Sequence, residues 1–158
     1  MANTASLCTS FLAELMTGTH NFGVAPIRAA TTADTFKGAL YLASATYNAA
    51  TTAYSATGEV SGTNYTAGGV TVTNATAPAS TNTSATAGTA YWTPSASLVY
   101  TNVTLTTAFD TVLLYNSTQS NKAVGVYTFG SQTITAGTFT LTMPSNTTST
   151  ALIRIATT

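Results

Sequence analysis

A hydrolytic triad needs a nucleophile, a base and a carboxylate that orients the base, and this chain of 158 residues offers one histidine for the task. His20 sits in Thr19-His20-Asn21, no Gly-x-Ser-x-Gly elbow is present, and a capping or surface role is the default reading for it. The four carboxylates, Glu14, Asp34, Glu59 and Asp110, are scattered, and one Cys with one His gives no zinc or EF-hand spacing, so neither a metal nor a cofactor is expected. Glu59 and Asp110 would suit glycosidic cleavage only if the fold brought them together. Cys8 falls among apolar residues and reads as a small buried hydrophobe rather than a reactive thiol. A self-formed Lys–Asn link, from Lys37 or Lys122 to an Asn beside Glu59, would require all three groups to be buried together. Gly68-Gly69 precedes a strand instead of a helix, which suits a turn and not a phosphate cradle. The chain is therefore expected not to be an enzyme.

Aromatic residues are more informative than titratable ones. Tyr47, Tyr54, Tyr65, Tyr91 and Trp92 lie in or beside Gly-, Thr- and Ser-rich connections, where aromatics serve either an interface or the ends of a core. Charged residues are 5% of the chain against about 25% in ordinary soluble proteins. Formal net charge is zero, and Arg28, Lys37, Lys122 and Arg154 are dispersed. That excludes a phosphate-binding surface, so nucleic acid is not an expected partner. No apolar run approaches the ~20 residues of a membrane-spanning helix, and no basic and apolar leader opens the sequence, so the expectation is a chain made in the cytosol and free of membrane. A neutral surface favours association over a solitary life.

These residues must be positioned by elements with two different periods. Over residues 5–18, Leu7, Cys8, Phe11, Leu12, Leu15 and Met16 share one half of a helical wheel, and Gly18 supplies a stop, predicting a short N-terminal helix. Its seam of Leu7, Phe11, Leu12, Leu15 and Met16 is expected to close the chain's own core, with docking on a neighbouring subunit as the alternative. Residues 19–34 form an irregular arm. From Phe36 the period becomes two: Phe36, Gly38, Leu40 and Leu42 alternate with Lys37, Ala39 and Tyr41, and Thr-rich alternation returns around Val70, Val99 and Phe139. Ser61 to Asn64, Gly68-Gly69, Asn116 to Asn121 and Gly130-Ser131 read as turns, residues 74–88 as an exposed loop, and Leu152 to Ile155 as the last strand. The expected fold is all-β, an antiparallel β-sandwich or barrel over 35–158 with one short N-terminal α-helix, in a single domain spanning 1–158.

Four segments carry a resemblance: Asp34 to Tyr41 (DTFKGALY), Glu59 to Gly69 (EVSGTNYTAGG), Ala108 to Asn116 (AFDTVLLYN) and Asn121 to Val124, with Thr135 to Pro144 (TAGTFTLTMP) as a fifth. In these the chain resembles a group of tailed-bacteriophage virion structural proteins, whose members show comparable FKxALY, E(V/I)SGxxYTAGG, FDxxxLYN and TAGxFTLxxP stretches. The likeness spans most of the chain except 74–90. It implies a particle component and no reaction. Within a particle it implies a head decoration or cement protein bound to the major capsid protein at the capsid surface, with a tail or head-to-tail component as runner-up. A carbohydrate-binding module is the alternative from another class. Self-association is expected, first as a trimer matching local threefold positions of a capsid lattice and second as monomers.

Overall fold

The computed structural model describes residues 3–8, 11, 15, 18–20, 22, 33–83 and 86–156. They form an all-β fold of two antiparallel sheets. The larger has the order β1-β7-β6-β2-β3 and the smaller β4-β5-β8. The strands are β1 (Ser6–Leu7), β2 (Phe36–Leu42), β3 (Val70–Thr71), β4 (Ala79–Thr83), β5 (Thr86–Trp92), β6 (Leu98–Asn116), β7 (Lys122–Leu141) and β8 (Ile153–Ala156).

The centre of the larger sheet is β6, flanked by β2 and β7. Its C-terminal run Thr111 to Asn116 is buried on both faces, as is most of β2, so the alternation read in FKGALYL marks strand conformation without marking a solvent side. Phe36, Leu40, Tyr41, Phe109 and Leu113 are fully buried and anchor the core. The turn expected from Asn116 to Asn121 joins β6 to β7, with Ser120 and Asn121 at positive φ (53° and 58°).

Gly130-Ser131, expected to end a strand, lies inside β7, which runs unbroken by turns for 20 residues. The ladder between β6 and β7 changes register between Phe109 and Thr111, where extra β7 residues are taken up as a bulge. A second offset sets Val103 opposite Gly137 and Leu105 opposite Ile134, and there Ala136 takes φ 45°. Glycine and small residues were thus read as turns where the chain uses bulges, which call for similar backbone freedom.

The segment 74–88, expected as an exposed loop, instead supplies β4 and the start of β5, paired through Ala79–Tyr91, Ser80–Ala90 and Thr81–Thr89. Its small polar side chains gave no apolar alternation, but β5 also pairs with β8, so backbone pairing supplies the order that side chains do not signal.

The start of the expected N-terminal helix is a strand. Ser6 and Leu7 pair with Val126 and Gly125 of β7, and the Cys8 amide donates to the Val124 carbonyl (3.1 Å). Helical periodicity in a short segment is a weak preference, and over Ser6-Leu7 an available sheet edge overrides it. Gly18 does carry the positive φ expected of it (66°). Leu12 and Met16 lie outside the described residues, as does most of the irregular arm, while the described Phe11 and Leu15 take helical backbone.

Candidate assembly surface

The two sides of the larger sheet end differently, and the difference begins with the backbone of β2. Its outer edge is closed by two short pieces of chain. Residues near β3 cover one half, with Gly38 opposite Val70 and the Val72 amide donating to the Phe36 carbonyl (2.8 Å). The other half is covered when the Val60 amide donates to the Leu40 carbonyl (3.0 Å) and the Leu42 amide to the Gly58 carbonyl (2.9 Å). Between them, the Leu40 N–H finds no backbone acceptor among the described residues, and the Tyr65 hydroxyl accepts it at 3.0 Å.

That hydroxyl in turn donates to Glu59 Oε1 (2.7 Å), which also accepts the Gly68 amide (2.7 Å), while Tyr54 donates to Glu59 Oε2 (2.7 Å). Tyr115 donates to the Gly68 carbonyl (2.8 Å) and Tyr100 to the Gly38 carbonyl (2.8 Å). Tyr41 and Tyr47 donate to carbonyls of the 55–57 turn, their ring centroids 3.9 Å apart. Gly69, at φ 73°, lies so close to the Gly38 carbonyl that any Cβ there would collide with it. Burial pushes the hydroxyls of Tyr41, Tyr47, Tyr54, Tyr65 and Tyr100 above the usual tyrosine range, and the Glu59 charge pushes each the same way. Tyr115 is raised to about 12 by burial and then by Glu59.

Three of the five aromatics expected at an interface, Tyr47, Tyr54 and Tyr65, therefore join this network. Tyr47 is buried, Tyr54 and Tyr65 half-buried. Among the described residues Glu59 is bonded to tyrosines and a backbone amide, while Asp110 accepts from Asn3 and Thr111. The signal for the cluster was present as Glu59 with Tyr54 and Tyr65 five and six residues away, but only pairing with β2 brings Tyr41, Tyr100 and Tyr115 to it.

Trp92 and Tyr91 go elsewhere. Trp92 is buried, donates its indole N–H to the Thr76 carbonyl (2.9 Å) and packs on Phe22 at 4.7 Å and Phe36 at 6.2 Å. Half-buried Tyr91 joins Trp92, Phe11, Leu15, His20 and Phe22 around a mainly apolar pocket of about 300 Å³. Phe11 is fully buried in the core, and Leu7 and Leu15 pack against it. The described part of the expected helix seam thus turns inward.

His20, read as a capping or surface residue, is buried beside Asp34 and Asn116. The Asn116 side-chain amide donates to His20 Nδ1 (3.1 Å) and to Asp34 Oδ2 (2.8 Å), while its Oδ1 accepts the Thr118 and Gln119 amides (3.1 Å each). Gln119 donates to Asp34 Oδ1 (3.1 Å). Asp34 and Asn116, 82 residues apart, belong to the two resemblance segments that pair as β2 and β6, and no spacing rule joins them. Among the described residues no group of three His, Cys, Asp or Glu could hold a metal ion.

Against these buried clusters stands the ribbon formed by the N-terminal half of β6 and the C-terminal half of β7. One face carries half-buried Phe129, Ile134, Phe139 and Leu141, and exposed Thr128, Thr133, Thr138 and Thr140 punctuate the strand. Neither Leu98 to Phe109 nor Thr128 to Leu141 contains a charged residue or a proline. No family model matches the chain, and neither a curated protein nor a solved structure matches it.

Proposed function

We propose that this chain is a non-enzymatic structural component of a tailed-bacteriophage particle, a decoration or cement protein that braces the major capsid protein at the head surface. The observation that carries the reading is the uncharged β6–β7 ribbon, a long stretch of surface strand with Thr and half-buried aromatics and none of the charges that keep a free β protein apart from its neighbours. The resemblance supports it in a second way. FKGALY is β2, AFDTVLLYN is the buried end of β6, and EVSGTNYTAGG is the segment that closes the β2 edge. The shared motifs thus build framework, as expected of a family that keeps a shape rather than a reaction.

The two sheets are read as the layers of a sandwich rather than a closed barrel, because the order β1-β7-β6-β2-β3 ends in two different strands. A cement module works by adding many modest contacts across neighbouring subunits, and a neutral surface makes those contacts insensitive to salt.

Purified protein mixed with undecorated phage heads should co-sediment at saturating stoichiometry, with little loss between low and high salt. Binding to tails and not to heads would move it to the runner-up location. Failure to bind either would overturn the reading.

A further inference from the structure

The sheet closes one edge with care and leaves the other open. Along β2, backbone pairing from residues 58–60 and 70–72 and one tyrosine hydroxyl cover the edge. Along β7, β1 covers only Gly125 and Val126, with Cys8 reaching Val124. From Thr128 to Leu141 the outer side of β7 has no backbone partner among the described residues. Natural sheet edges are blunted by lysine, proline, bulges or a covering segment. Here bulges interrupt the edge near residues 129–131 and 135–136, but from Gly137 to Leu141 the strand carries no extra residue of its own: the shift between Tyr100 and Val103 puts its extra residue on β6, and Tyr100–Phe139, Val99–Thr140 and Leu98–Leu141 are in unbroken register.

We infer that a second copy of this chain pairs with that run, antiparallel and about a two-fold axis, joining the two larger sheets into one. This rests on the reading of the chain as an assembly component and names the surface through which it first associates. An antiparallel edge is its own complement, because a two-fold sets each outward N–H opposite a C=O of the partner copy. The side chains agree. Such a pairing sets half-buried Phe139 and Leu141 beside their own kind on one face and Thr138 and Thr140 on the other, and like pairs of these types favour a sheet. Charge agrees as well, since an uncharged ribbon on a chain of zero net charge meets its copy without repulsion. An isologous pair closes at two copies, in place of the trimer expected from lattice positions.

The test is light scattering and amide hydrogen exchange on the full chain from low micromolar to near-millimolar concentration. Mass should rise from 16.1 kDa toward twice that value, with amides of residues 137–141 slowing as concentration rises and those of 58–60 unchanged. Thr140→Lys, at an exposed position, places two lysines near the axis and should weaken association at least tenfold. Thr148→Lys, exposed in the C-terminal turn, adds the same charge and should leave association alone. A chain monomeric at every concentration overturns the inference, as does dimerisation indifferent to Thr140→Lys. Protection of 137–141 that appears only with phage heads makes the occupant a capsid strand, which also overturns it while leaving the assembly reading intact. A dimer that binds no particle sustains the pairing and sinks the assembly reading.

Discussion

Removing one oxygen atom tests the account of how the β2 edge is closed. Tyr65→Phe keeps the ring that stacks on Tyr100 at 6.1 Å and deletes the hydroxyl that accepts from Leu40 and donates to Glu59. Leu40 is fully buried, so its N–H is left without an acceptor where water does not reach, at a cost of about 1–3 kcal/mol. The bond lost to Glu59 is charge-assisted, but that carboxylate is half-exposed and keeps Gly68 and Tyr54, so about 1 kcal/mol is added. The sum is about 2–4 kcal/mol. Tyr54→Phe removes a bond to the same carboxylate and orphans no backbone group, so about 1 kcal/mol is expected. Urea unfolding at neutral pH, followed by tyrosine and tryptophan fluorescence, gives both numbers at once. An unchanged m-value would show that the denatured state is not the source of the difference. The reasoning fails if Tyr65→Phe lies within about 0.5 kcal/mol of the parent, or if Tyr54→Phe is the costlier change.

Alkaline solution should unfold the chain cooperatively. The hydroxyls of Tyr41, Tyr47, Tyr54, Tyr65, Tyr100, Tyr115 and Tyr127 are all raised in the fold, chiefly by burial. Their contribution is therefore fully present below pH 10 and is lost as pH rises from there through about 12, the value for Tyr115. Absorbance at tyrosinate wavelengths should rise with loss of β-sheet dichroism, and gradual ionisation of an intact fold would contradict this. Trp92→Ala should cost about 3–5 kcal/mol by opening a cavity against Phe22 and Phe36, measured by the same urea titration. Thermal melts with and without a chelator should superimpose, and a large downward shift would reveal a structural metal.

Strand positions announced by β-branched and aromatic alternation were legible: β2, the start of β6 around Val99, the end of β7 around Phe139, together with the turn at 116–121 and the last strand near Ile153. Three kinds of information were not. The β4–β5 pairing lies in side chains too small to show a face, so only backbone complementarity with β8 reveals it. Bulges at 129–131 and 135–136 use the same permissive residues as turns, and local sequence does not separate them. Ser6-Leu7 depends on a sheet edge supplied by residues more than 100 positions away. The site fared similarly. Tyr54 and Tyr65 stood out as aromatics in polar connections, but their role depends on Glu59 and on Leu40, whose amide is left to a side chain only once β2 has two short neighbours. The burial of His20 was not legible, because nothing nearby in the sequence points to an imidazole among Phe11, Phe22 and Phe36.

The amide of Asn116 has a consequence for that imidazole. Two backbone N–H groups on Oδ1 and a carboxylate on Nδ2 leave the side chain one way to face, so rotating it by half a turn would set donors against donors. His20 Nδ1, 3.1 Å from the same nitrogen, must then be the lone-pair side of the ring. The only histidine of the chain is held as the tautomer with its proton on Nε2, chosen by a turn formed 96 residues further on.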